Sequence, residues 1–468
     1  MTPGSKPAPK SLLQAAPAPG SPAPSVPVLL VPPLEGPIMQ VAITITDLRG
    51  EAFDIIGTAE TGLSGSLLPG HTTNVIFGQL DSGSGTHLVS YPGAVASGLQ
   101  GSYLTENTSA AGGVDGSVDL VVTQPVGFFA QGLQDLDAQG HPQSGSMLGE
   151  GNFSGLVNTA DNVASGANIP TLIGAPFLLN YPAYIRNSQP IQPRGSTNGY
   201  STPSITFYSS PTDPSLPVLA HKVFLQVRPV GQPVVAYFIL LDENPYAPST
   251  IISGQGASAL FFTASAMTLH KGANVSSGPM VVDTGAQATL LSEIAAAELD
   301  LDLLNPDFTV QVQGLVTNLT APGFYIDYAT IPAGGGGLTW TNMPVVILNV
   351  ESPEGGTLFG IFGSNLTANR DLLFNGAAST PYLGLTDPIV SPLMRITAVR
   401  RTGASTGEID WHAEPAPPVM YLERSTNSLS GNPLNWTVVA TNTDGTINGT
   451  FSVAPFVPGS YYRLQAPK

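Results

Sequence analysis

Two short stretches of this chain hold an acid, a hydroxyl and a glycine in the same order: Asp81 Ser82 Gly83 Ser84 and Asp283 Thr284 Gly285 Ala286. No other Asp-Ser/Thr-Gly triplet occurs in the sequence, and each is entered from one apolar run and left by another. Such a triplet puts a carboxylate on a tight turn, where glycine lets the backbone come close and the hydroxyl can pin the turn by a hydrogen bond. The chemistry on offer is proton transfer by carboxyl groups. Each triplet is followed at long range by two apolar residues and a glycine. Leu172 Ile173 Gly174 ends 93 residues after Asp81, and Ile361 Phe362 Gly363 ends 80 residues after Asp283. Spacings this similar point to one duplicated unit.

Together the four motifs resemble the aspartic proteases, in the two-lobed layout of the pepsin family. The second copy, DTGAQATLL, is similar to the single-lobe retroviral type, whose motif also has alanine after the glycine. The resemblance covers about residues 38–390. It implies a mainly β, bilobal fold in which each lobe gives one aspartate, on a turn passing beneath a strand that ends in the apolar-apolar-glycine signature. Asp81 and Asp283 are then the catalytic pair, close enough to share a proton, because two adjacent carboxylates cannot both ionise. One draws a proton from a water while the other donates to the peptide carbonyl. The implied activity is that of an aspartic endopeptidase acting on polypeptide, on the acid side, without cofactor or metal.

The same resemblance gives the neighbouring residues their parts. Ser82 and Thr284 are expected to hold the two turns together by hydrogen bonds across the lobe interface, with Gly83 and Gly285 as scaffold. Ser84 is expected to donate to the outer oxygen of Asp81, which Ala286 cannot do for Asp283, so Asp283 is expected to hold the proton longer. A flap is expected between Ser97 and Asp119, with Tyr103 the tyrosine near it. His87 stands where leucine is usual and Leu88 where an aromatic is usual; neither change removes a catalytic group. His87 is expected to be partly exposed or hydrogen-bonded in its strand.

Elements that must position these turns are legible in part. Alternation in Val41 Ala42 Ile43 Thr44 Ile45 Thr46 predicts a strand. Val218 to Asp242 reads as a hairpin turning near Gly231 and Gln232, and Ala259 to Leu269 with Pro279 to Asp283 repeats the approach to the first turn. The clearest helix is expected over Leu291 to Leu304, where Ser292 precedes an alanine-rich run with a glutamate in its first turn.

Composition bounds the rest. The chain of 468 residues is too long for one ordinary core, which predicts two or three domains. Only 10% of residues are charged, with 52 Gly and 44 Pro, a loop-rich β composition more at home outside a cell than in cytosol. No cysteine is present for disulfide or thiolate chemistry. A net charge of −17 argues against nucleic acid or anionic membranes as partners, and no apolar run is long enough for a membrane span. The six histidines show neither H-x-x-x-H nor H-E-x-x-H spacing, so a metal site has little support.

Residues 1–37 form a Pro/Ala-rich leader expected to be extended. The expected domains are an N-terminal lobe over 38–215, a C-terminal lobe over 216–390 and a terminal β-domain over 391–468. That last region holds 6 of the 15 basic residues but only 5 of the 32 acidic ones, and YLERSTNSL, NWTVV and YYRL resemble small fibronectin-like β-sandwiches. Such a domain is expected to bind a surface or glycan. Two readings follow: an extracellular or cell-surface monomeric protease, or a non-catalytic surface or adhesion protein that uses the same fold to bind polypeptide or glycan. Both intact triplets favour the first.

Overall fold

The computed structural model describes residues 32–47, 56, 72–113, 116–136, 147–160, 169–192, 201–229, 233–241, 248–257, 260–313, 318–352, 355–389, 393–403, 405–414, 420–425, 437–443, 448–455 and 461–465. Most of the leader therefore lies outside the described residues. Among those described, the chain is mainly β, with strands gathered into four sheets of eleven, twelve, three and three strands.

The duplicated unit is visible element by element. Ile76–Asp81 and Asn274–Val282 each lead into an aspartate turn. Each turn is followed by a two-residue strand, Leu88–Val89 or Leu290–Leu291, and then by a short helix, Tyr91–Ser97 or Glu293–Glu298. Both helices are capped by a serine: Ser90 accepts from the N–H of Gly93, and Ser292 from that of Ala295. Next comes an antiparallel hairpin in each copy, Leu104–Gly113 with Gly116–Thr123 and Phe308–Gln313 with Asn318–Ile331. The first lies where the flap was expected, and Tyr103 stands at its base.

The glycine-terminated signatures close each unit. Leu172–Gly174 runs parallel to Ile76–Asp81, with Gly174 opposite Asp81, and antiparallel to Leu88. Gly360–Phe362 runs parallel to Asn274–Val282 and antiparallel to Leu290–Leu291. A strand of this kind is paired on both edges and buried on both faces, which is why each signature reads as an unbroken apolar run. One apolar cluster extends through both copies, from Ile43 and Phe128 to Trp340 and Phe374.

The expected hairpin over Val218 to Asp242 is corrected. His221–Pro229 pairs with Leu260–Lys271 and Tyr382–Leu385, whereas Pro233–Leu241 pairs with Pro248–Ala257 and Leu148–Phe153 in the other large sheet. The expected turn residues lie outside the described residues, but its flanks give the reason. Pro229 and Pro233 flank that turn on either side, and neither has an N–H to close a hairpin. In the other direction, Ala183–Ile191 and Thr202–Phe207 join the second copy's sheet through Leu372–Asn375. The two sheets thus exchange strands across residue 215.

The expected helix after Ser292 is also shorter than its pattern. It covers Glu293–Glu298 and is followed at Asp300 by a positive φ of 56°. Beyond residue 390, Leu393–Arg401, Gly407–Glu414 and Asn448–Val453 form one three-stranded sheet, and Thr437–Asn442, Met420–Ser425 and Tyr461–Gln465 another. Their buried residues, Trp411, Leu422 and Phe451 among them, form a cluster separate from the main core.

Candidate active site

The two aspartate turns meet at their backs. The hydroxyl of Ser82 donates to the carbonyl of Val282 at 2.7 Å, and that of Thr284 donates to the carbonyl of Leu80 at 2.8 Å. Each hydroxyl also accepts the other residue's backbone N–H, Ser82 N to Thr284 Oγ1 at 2.9 Å and Thr284 N to Ser82 Oγ at 3.0 Å. Both side chains are buried. Four hydrogen bonds therefore fix the turns to each other, with both hydroxyls and both N–H groups satisfied away from water.

This grip brings the carboxyl groups of Asp81 and Asp283 into hydrogen-bond contact. Each is held from below by its own turn. Asp81 Oδ1 accepts the N–H of Gly83 and Ser84 at 2.9 and 3.0 Å, and Asp283 Oδ1 accepts the N–H of Gly285 and Ala286 at 2.8 and 3.0 Å. The glycines are required by space. A Cβ on Gly83 would stand 2.3 Å from the carboxyl carbon of Asp283, and one on Gly285 would stand 2.4 Å from that of Asp81.

Several electrostatic influences act on Asp81. The Asp81 carboxyl is pushed well above its ordinary value, first by loss of hydration, then by the charge and the hydrogen bond of Asp283, against the lowering pull of the Ser84 and Gly83 N–H groups. Asp81 keeps part of its surface open, yet the protein crowded around it makes dehydration the leading cause. The contact expected of the Ser84 side chain with Asp81 is corrected. Its hydroxyl turns away to the carbonyl of Thr86 at 2.7 Å, and only its backbone N–H reaches Asp81. Because Ala286 offers the same backbone N–H, the difference in side chain between 84 and 286 does not reach either carboxylate.

The crossing strands support both turns alike. Ala175 N donates to the carbonyl of Ser84 and Ser364 N to that of Ala286, each at 2.8 Å. His87 and Thr289, each six residues after its aspartate, accept the N–H of the signature glycine, Gly174 at 3.0 Å and Gly363 at 3.4 Å. His87 is thus hydrogen-bonded, as one of its two expected settings had it, but wholly buried.

The structure also shows straps that sequence reasoning missed. Gly36 N donates to the carbonyl of Gln287 at 2.7 Å, and Leu260 N donates to that of Gly85 at 2.9 Å. Gly85 and Gln287 each lie four residues after their aspartate. The chain entering the strand Gln40–Asp47 of one copy therefore ties down the turn of the other, and the chain entering Leu260–Lys271 returns the contact. Neither Gly36 nor Leu260 carries a side-chain signal for this, since the bonds are backbone.

No three His, Asp or Glu side chains gather among the described residues as a metal ion would need. None of the described helices is long and apolar enough to cross a membrane. No curated protein sequence matches the chain. Among solved structures, an aspartic proteinase from Irpex lacteus is similar with a TM-score of 0.35 and 12% identity, over 75% of this chain and 99% of that one. Residues 267–366, which hold Asp283, the hairpin Phe308–Ile331 and the crossing strand with its glycine, match the family model of the aspartyl proteases and support an aspartic protease fold.

Proposed function

We propose that the chain is an aspartic endopeptidase that hydrolyses polypeptide with a water activated between Asp81 and Asp283. The observation that carries this reading is the contact between two carboxyl groups, one of them held above its ordinary value by burial and by the other. A pair of this kind is poised with one proton between two acids. The ionised member of the pair takes a proton from the water as it attacks the peptide carbonyl carbon. The protonated member donates to the carbonyl oxygen; the resulting tetrahedral diol returns a hydroxyl proton to that carboxylate as it collapses, while the other acid protonates the leaving amine. The fixed N–H groups under each Oδ1 hold the acids in place through both steps, so little reorganisation is needed when charge moves.

Both acids come from one chain, which makes a single copy sufficient. The sparse charge of the sequence favours work outside the cell or at its surface, and the terminal β-domain is then an accessory that holds the enzyme to a surface or glycan. The reading is tested with a peptide in which a secondary alcohol replaces the scissile carbonyl. Mimicry of the tetrahedral state predicts competitive inhibition at least about 100-fold tighter than binding of the parent peptide. Equal affinity for the two peptides contradicts it.

A further inference from the structure

His87 is a buried titratable group that the proposed chemistry does not use. It is 0% exposed, and its partner Glu150 is 1% exposed. Nδ1 accepts the Gly174 N–H, so that nitrogen carries no proton and the neutral ring holds its hydrogen on Nε2. Nε2 then donates to Glu150 Oε2 at 2.7 Å, while Oε1 accepts from the Asn180 amide. The rings of Phe153, Phe128 and Phe177 wall in the imidazole at centroid distances of 4.4, 4.7 and 6.5 Å. Behind Phe177 stands Tyr181, its hydroxyl on the carbonyl of Gly149. Among the described residues, the ionisable groups around His87 are therefore Glu150 facing it, Tyr181 behind the aromatic wall, and Asp81 along its own turn.

One crossing peptide links this imidazole to the reacting acid. Gly174 gives its N–H to His87, Ala175 gives the next N–H to Ser84, and Ser84 gives its own to Asp81. The second lobe builds the same chain with the hydroxyl of Thr289, which also donates to Asn365 at 2.8 Å. A hydroxyl does not titrate in the working range of a carboxyl pair, whereas an imidazole does.

We propose that His87 is a positioning residue through which the Asp81 turn, and not the Asp283 turn, responds to protonation outside the dyad. A proton taken from solvent onto Nδ1 replaces an acceptor lone pair with a donor facing the Gly174 N–H. That hydrogen bond is lost, and the crossing strand loosens its hold on Ser84 and Asp81. Glu150 is the group that faces the event, because its carboxylate accepts the Nε2 hydrogen of the neutral and of the protonated ring alike. The catalytic half of this inference rests on the peptidase reading; the geometric half does not.

The test follows kcat against pH for the full chain, Glu150→Gln and His87→Asn, with the His87 ring nitrogens and the Gly174 amide observed by NMR over the same range. The expected wild-type spectrum shows the Nε2–H tautomer, with the Gly174 amide moving as His87 protonates. In Glu150→Gln the imidazolium has lost its counter-charge, so the acid limb of kcat moves to lower pH by about one pH unit or more. In His87→Asn, whose Oδ1 can take the Gly174 N–H and does not titrate, the acid limb becomes shallower by one proton. An acid limb identical in all three overturns the proposal, as does an Nδ1–H tautomer or a Gly174 amide that stays still while His87 protonates. If the wild type cleaves no peptide bond at any pH, the peptidase reading fails, and the two NMR observations still decide whether His87 controls the crossing strand.

Discussion

Ser82 and Thr284 are each other's mirror across the two turns: the hydroxyl of each accepts the other's N–H and donates to the carbonyl of the residue just before the opposite aspartate. The carboxyl pair depends on this grip, because nothing in either turn alone sets the distance between Asp81 and Asp283.

Replacing Thr284 by valine keeps the shape and removes the hydroxyl. The Ser82 N–H and the Leu80 carbonyl then lose their partner away from water, which should cost about 2–4 kcal/mol of stability. Denaturant unfolding measures that loss, and serine at the same position should recover most of it.

Alanine at Gly285 meets the Asp81 carboxyl at less than van der Waals distance. Since the obstructing atoms belong to the reacting group, the expected outcome is a folded protein whose kcat has fallen by about 100-fold or more. An active Gly285→Ala variant would show that the acids do not work at the separation seen here.

Ser84→Ala tests a different point. The hydroxyl serves the Thr86 carbonyl and not Asp81, so its removal should cost about 0.5–1.5 kcal/mol of stability and leave the pH profile of activity where it was. A displaced profile would restore the role that the motif suggests for this side chain.

Asp81 links the dyad to stability. Its carboxyl is raised in the folded chain, so the folded state keeps a proton that the unfolded state releases. Stability therefore falls as pH climbs from the ordinary carboxylate range through the raised one, and stays low above it. Asparagine at this position removes that loss. The variant should melt above the wild type at pH 7, by about 2–4 °C for each kcal/mol recovered, with the gap closing at about pH 3. Calorimetry at both pH values checks the sign.

Much of this site is legible in the sequence because its parts are short and local. The Asp-Ser/Thr-Gly triplets and the glycine signatures each name a turn and a buried strand, and the two copies confirm each other by spacing. The helix Tyr91–Ser97 is missed although Ser90, Pro92 and Gly98 mark its start and end, because seven residues are too few to show a helical period. Pairing over long range is least legible. Val218 to Asp242 alternates well enough for a hairpin, yet only the two prolines at its turn hint that the strands part. The orientation of the Ser84 hydroxyl is a choice between two nearby acceptors, and residue type does not decide it. His87 shows as a departure from the motif, but its partner Glu150 lies 63 residues away and carries no pattern of its own.

The most direct measurement is hydrolysis of an unfolded protein from about pH 2.5 to 7 by the wild type, Asp81→Asn and Asp283→Asn. A dyad sharing one proton predicts cleavage on the acid side that disappears in both variants alike. Cleavage that survives either substitution, or none by the wild type at any pH, would contradict it.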